Sequence, residues 1–332
     1  MGHLRLETDH ISSPLRAAFA ISRGSKTSAE TVRVRLSEDG NAGRGESVPY
    51  GRYGETVQSV LEEIDAVRVQ IEAGITREAL QSLMKPGAAR CAVDCALWDL
   101  EAKKTGKPVW QLAGLPEPAP VETALTISLD TPDAMAAAAT AAPGRLLKLK
   151  LGGAEDLARI KAVHEARPEA RLIADANEGL SEADLPGLVK AAARLGVVLI
   201  EQPFPAGKDA ALMRRPGAVA ICADESAHTS ADIQTLARNY DAVNVKLDKA
   251  GGLTEALAMV RAARTAGMGV MVGCMVAGSL SMAPAVLLAQ LADAADLDGP
   301  LWLASDIEGG LVYAEGRVSP PGAGLWGWGG SR

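Results

Sequence analysis

The sequence predicts an α/β protein: a closed barrel of parallel strands forms most of it, and a smaller α+β segment precedes the barrel. Two observations carry this expectation. From Val121 onward the chain shows about eight short apolar runs: "VETALTIS", "RLLKLKL", "RLIADA", "VVLIEQP", "VAICADE", "AVNVKLD", "GVMVGCM" and "DAADLDG". The stretches between them are rich in Ala and Leu and long enough to be helices. Near-continuous apolar strands alternating with helices define a parallel sheet covered on both faces, and about eight such units favour closure over an open sheet.

In chain order, "HLRLETDHI", "AAFAIS" and "ETVRVRLS" read as three strands. Apolar spacing over about 55–72 and 86–105 reads as two helices, the second with Ala92, Leu97 and Leu100 on a buried face. Pro108 and Gly114-Leu115-Pro116 break that pattern, and "GLPEPAPVE" is a linker. The expected division is an N-terminal domain over 1–115, a barrel over 116–311, and a tail over about 312–332 that packs back on the first domain. The Ala-rich "DAMAAAATAAPG" is the helix after the first barrel strand.

With 332 residues, 48% of them hydrophobic, the chain can bury a large core. A formal charge of -7 offers no global basic field for nucleic acid or an anionic membrane. The N-terminus lacks a secretory pattern, and no apolar stretch approaches the length of a membrane span. Four cysteines without paired spacing read as small core residues in a reducing compartment. The expectation is a cytoplasmic protein that acts on a small molecule and engages neither nucleic acid nor membrane.

Catalytic residues of parallel barrels sit where strands run out into the following loops. At those points stand Lys148 and Lys150, Asp175, Glu201, Asp224, Lys246, and Asp296 with Asp298. Lys148 and Lys150 share one face of their strand because strand side chains alternate. A single carboxylate at a strand end is commonly a helix cap, but acids on three consecutive strands would repel one another unless a cation lay between them. Oxygen ligands without Cys or His suit a hard ion such as Mg²⁺. The lysines of the second and sixth strands would then face each other across the barrel mouth. A nearby cation and a second ammonium would lower a lysine's pKa and make it a base, with Lys148 acting in this way on Lys150.

The set "KLK", "ADAN", "EQP", "ADES" and "NVKLDKAGG", with "CALWDLEAKKTGKPVWQLAG" ending the first domain, resembles the enolase superfamily. The similarity is to its branch with muconate cycloisomerase, succinylbenzoate synthase and dipeptide epimerases, and it spans nearly the whole chain. It implies a modified TIM barrel, (β/α)7β, with an α+β capping domain. It also implies Lys150 and Lys246 as acid/base residues, Asp175, Glu201 and Asp224 as ligands of one Mg²⁺ per subunit, and 1,1-proton transfer through an ene-diolate. Lys148 would help to hold substrate and stabilise that charge. A homo-oligomer is expected.

"DLDGP" resembles the Asp-x-Asp motif with which dipeptide epimerases hold a substrate ammonium, which points to Asp296 and Asp298. "FAISRGSKTSAE" and "GESVPYGRYGET" are similar to the capping-domain loops of those enzymes. Arg23, Lys26 and Arg52 are candidates to meet a substrate side-chain carboxylate, each with a solvated surface role as the alternative. Tyr50, Thr126 and Met275 complete the expected substrate pocket. The reading is dipeptide epimerisation, L-Ala-D/L-Glu foremost, as in murein peptide recycling. The alternatives are an N-acylamino acid racemase, an o-succinylbenzoate synthase or a muconate cycloisomerase. A metal-free Schiff-base lyase would have no need of the three carboxylates.

Overall fold

The structure, a computed structural model, describes residues 4–21, 24–212, 217 and 219–329. An antiparallel sheet of Arg5–Ile21, Gly24–Glu38 and Asn41–Ser47 opens the chain. The two segments expected as separate first strands run together as one long strand. Its pairing slips between Pro14 and Phe19, where proline cannot donate to the ladder. Val32, Val34 and Leu36, on alternate positions of the middle strand, are fully buried.

The helix Ala88–Thr105 packs against the third strand so closely that only glycine fits at the crossing. A Cβ on Gly45 would lie 2.1 Å from Ala92 O, and one on Gly43 would lie 2.3 Å from Ala96 O. The helix stops at Gly106, which adopts the left-handed conformation (φ 71°) that glycine reaches without steric cost. The helix expected over 55–72 is broken at Val67 into Val57–Ala66 and Arg68–Glu72, and Arg77–Leu83 forms a further helix.

The barrel has eight strands hydrogen-bonded in chain order: Leu125–Ile127, Leu146–Lys150, Arg171–Asp175, Val197–Glu201, Ala220–Ala223, Ala242–Val245, Gly269–Gly273 and Ala294–Asp296. The first and last are drawn together by Ala124 N donating to Ala295 O (2.7 Å) and Leu297 N to Thr123 Oγ1 (2.7 Å). The sheet is thus nearly closed, as the apolar runs led us to expect. "VETALTIS" is not one strand, because Val121–Glu122 pairs instead with Arg317–Val318 in a small separate sheet. The fourth and fifth strands are joined, among the described residues, by a short 3-10 turn without an α-helix.

Alternation along the strands sorts the barrel interior into layers. Leu146, Ile173, Leu199, Cys222, Ala242 and Met271 form an apolar floor. Two residues further along, the same strands present Lys148, Asp175, Glu201, Asp224 and Asn244, and one step higher stand Lys150 and Lys246. Near the C-terminus, Trp326 is buried against the helix Ala88–Thr105 and donates to Cys95 O (3.1 Å), while Gly327 N donates to Asp99 Oδ1 (2.8 Å).

Candidate active site

The lysines and acids form a buried lattice above the apolar floor. Lys148 is 1% exposed, and its Nζ lies 2.8 Å from Glu201 Oε2, 2.8 Å from Asp296 Oδ2 and 3.1 Å from Asp175 Oδ2. Lys150 Nζ donates to Asp175 Oδ2 (2.6 Å) and Lys246 Nζ to Asp224 Oδ2 (2.7 Å). Lys249, buried as well, donates to Asp224 Oδ1 (2.6 Å) and to Asp224 O. Asn244 Nδ2 donates to Glu201 Oε1 (2.8 Å).

Electrostatics follow from these contacts. Burial alone would raise the Asp224 carboxyl, but Lys246, Lys249 and Lys148 outweigh it and hold the group well below the usual range. Glu201 goes the other way: burial, then repulsion from Asp175, pushes it up to about 8. Lys246 is governed by its carboxylate neighbour. Burial works against its charge, yet the adjoining Asp224 carboxylate dominates and raises it well above the ordinary value. Lys148 is raised likewise, by Asp296, Glu201 and Asp175 acting against burial.

Among the described residues no group of three acids, histidines or cysteines stands ready to hold a metal ion, because lysine ammoniums lie between the carboxylates. The donor chemistry nevertheless fits a hard divalent cation. Asp175 and Glu201 pair at the ends of the third and fourth strands, Asp224 directly follows the fifth, and all their side-chain donor atoms are carboxylate oxygens. Glu201 Oε2, off the line of a hydrogen bond from Lys148, and Asp296 Oδ1 are buried oxygens without a hydrogen-bond partner.

A cavity of about 350 Å³ lies above this lattice, between the barrel mouth and the N-terminal sheet. Lys150, Lys246, Thr126, Met275, Asp296 and Asp298 line it from the barrel, and Lys26, Tyr50 and Arg52 from the N-terminal domain. Asp175, Glu201 and Asp224 are buried outside its wall. Lys148 also lies off the wall, where three carboxylates compensate its charge from within the barrel. Asp298 accepts from Thr126 N (2.7 Å), and burial and then Asp296 push it up to about 6. Arg52 is engaged by Glu178 through two hydrogen bonds of 2.8 and 3.0 Å. Lys26 Nζ sits 5.0 Å from the Tyr50 ring centroid. Arg23 lies outside the described residues.

Several site residues escaped the sequence reading. Asn244 and Lys249 belong to the lattice, and Phe19 closes the cavity 5.8 Å from Lys150 Nζ while packing edge-on against Trp302. Gln202 has φ 35° and turns its side chain back toward the fifth strand, accepting from Asp224 N (2.8 Å) and donating to Phe204 O (2.8 Å). Counting by twos from the apolar Ala242 would have found Asn244.

Two adjoining domains with a lysine–carboxylate lattice at the barrel mouth define the class. Residues 132–329 match the family described as "Enolase C-terminal domain-like", and 6–114 match the mandelate racemase / muconate lactonizing enzyme N-terminal domain. The chain belongs to the enolase superfamily. It is 45% identical over 308 residues to the L-Ala-D/L-Glu epimerase of Escherichia coli (strain K12), covering 92% of this chain and 96% of that one. It is 42% identical to an N-acetyl-D-glutamate racemase of a Pseudoalteromonas species, covering 86% and 91%. Among solved structures, an enolase family member from Agrobacterium tumefaciens, with sodium and L-Ala-L-Glu bound, superposes with a TM-score of 0.94 at 51% identity, covering 98% and 100%. The dipeptide epimerase of Enterococcus faecalis, solved with Mg and L-Leu-L-Tyr, gives 0.90 at 28%, covering 98% and 99%. The two curated relatives and the Enterococcus faecalis protein are named as epimerases or racemases, and this chain is an isomerase of the same superfamily.

Proposed function

We propose that this isomerase epimerises dipeptides at the α-carbon of the C-terminal residue, with L-Ala-D/L-Glu as the foremost substrate. The observation that carries the reading is the placement of Lys150 and Lys246 on one cavity wall, from the second and sixth of eight strands, half a barrel apart. One amine removes the α-proton from one face of the substrate and the other returns a proton on the opposite face, so configuration inverts. Asp175, Glu201 and Asp224 would hold one Mg²⁺ per subunit. That ion, when bound, supplies positive charge that favours ionisation beside the substrate carboxylate.

Asp296 and Asp298 supply the negative end of the cavity for the substrate's free ammonium. Lys26, Arg52 and Arg23 are our candidates for a carboxylate on the second residue. Phe19 and Tyr50 reduce water access above the reacting carbon. The similarity to an N-acetyl-D-glutamate racemase favours a second reading, racemisation of an N-acylated glutamate. We place the enzyme in the cytoplasm as a homo-oligomer in murein peptide recycling; among the described residues no helix is long and apolar enough to cross a membrane.

The test is incubation in D₂O with Mg²⁺, L-Ala-L-Glu, L-Ala-D-Glu, other L-Ala-x dipeptides and N-acetylglutamate, following the α-proton signal and the appearance of the other epimer. Dipeptide exchange that stops with chelator and returns with Mg²⁺ is expected. Exchange of N-acetylglutamate alone would transfer the assignment to the second reading, and no exchange of any dipeptide would remove the first.

A further inference from the structure

The two lysines are held in place differently. Lys150 ends a strand paired on both sides within the barrel, and among the described residues no hydrogen bond from the N-terminal domain reaches 146–153. Lys246 stands at the head of the short helix Leu247–Ala250, followed by Gly251 and Gly252 at φ 81° and 112°. That helix and turn are gripped by the N-terminal domain.

Arg90, on the helix Ala88–Thr105, is only 4% exposed, and among the described residues no carboxylate forms an ion pair with it. Its guanidinium donates to four carbonyls instead. Two, Ala250 O (2.7 Å) and Gly251 O (3.2 Å), belong to the turn after Lys246. The other two, Gln81 O (3.1 Å) and Met84 O (3.2 Å), belong to its own domain. Ala250 N in turn donates to Lys246 O (3.0 Å), so a single residue, Ala250, links the arginine's hydrogen bond to the lysine's backbone.

The fit leaves little slack. A Cβ on Gly251 would fall 2.5 Å from Arg90 Nε. Close by, Asp94 accepts from Thr254 N (3.0 Å) and Trp98 Nε1 donates to Thr254 Oγ1 (3.0 Å). A planar fork with five donors satisfies four carbonyls in one fixed arrangement, which the single ammonium of a lysine cannot do.

We infer that Arg90 is a positioning residue for Lys246: from the N-terminal domain it fixes the height and direction at which this amine enters the cavity, and it has no such hold on Lys150. The inference rests on the two-lysine reading above. Because a displacement of about 1 Å can cost on the order of 100-fold in rate, loss of the clamp should slow proton transfer on one face of the substrate only.

The experiment measures deuterium incorporation from D₂O into each epimer separately, with Mg²⁺ present. Lys246→Ala first identifies the epimer whose α-proton Lys246 removes, and Lys150→Ala identifies the other. Arg90→Met is expected to slow incorporation into the Lys246 epimer by tenfold or more, with KM within threefold and the other epimer within threefold. Arg90→Lys, which keeps a charged donor, should recover part of the loss. Equal slowing of both epimers, or slowing of neither, overturns the inference. If Arg90→Met yields no folded protein, Arg90→Lys decides: a loss of threefold or more confined to the Lys246 epimer supports the clamp, and an even or absent loss overturns it. If Lys150→Ala and Lys246→Ala show no face selectivity, the two-lysine reading falls and the inference with it. Selectivity in those variants without any in Arg90→Met removes the inference alone.

Discussion

A lysine in the middle of a barrel strand is stable only when fixed negative charge surrounds it, and Lys148 meets three carboxylates within 3.1 Å. Removing one member of such a buried set leaves the rest uncompensated. Lys148→Met should therefore destabilise the protein by about 3–5 kcal/mol, measured by urea unfolding without divalent ions. Added Mg²⁺ should recover part of the loss if it binds among the freed acids. At the far side of the cavity, Asp298→Asn keeps the acceptor for Thr126 N but removes a charge from the end assigned to the substrate ammonium. KM for L-Ala-L-Glu should rise about tenfold, the scale of one charge-assisted hydrogen bond, with a smaller change for an N-acetylated substrate. An unchanged KM would remove that role. The ionisable ends of the barrel strands were legible because each directly follows an apolar run. Lys249 was not, since it sits on a short helix where strand alternation does not apply. Nor was the pairing of Arg52 with Glu178, which joins residues 126 positions apart.

At the scale of elements, what sequence could not show is closeness between backbones. Gly43 and Gly45 alternate on the third strand, a pattern equally compatible with an exposed flexible edge; the structure shows them to be the contact surface for the helix Ala88–Thr105. Neither φ is positive, so the need for glycine here is one of space. Gly45→Ala must push its methyl against Ala92 O and Ala96 N, both backbone atoms. We expect a loss of roughly 3 kcal/mol or more, at or beyond the upper end of ordinary overpacking. An alanine at Gly54, where no atom lies within 4 Å, should cost only the strain of its φ of 77°. Comparing the two by urea unfolding separates crowding from conformational strain. The split of "VETALTIS" has a similar origin: alternation is the same in both halves, and only the separate partners Arg317–Val318 and Leu146–Lys150 divide it.

For the whole molecule, the question is what couples the N-terminal domain to the barrel. Beside the Arg90 clamp, Asp248 accepts from Val48 N (2.7 Å), joining the helix after Lys246 to the segment that leads to Tyr50 and Arg52. Asp248 is buried, and chiefly for that reason its carboxyl is pushed up to about 7. Between about pH 4, where an aspartate in the unfolded chain ionises, and about pH 7, the folded protein retains a proton that the unfolded chain has released. Stability must then fall as pH rises through this window, by up to about 1.4 kcal/mol per pH unit from this group, and level off above it. Asp248→Asn keeps an acceptor for Val48 N and carries no proton to lose. Urea unfolding of both proteins from pH 5 to pH 8 should show the variant gaining on the parent with rising pH and exceeding it at pH 8. Parallel curves would mean that this contact holds the domains together with its carboxylate already ionised at pH 5.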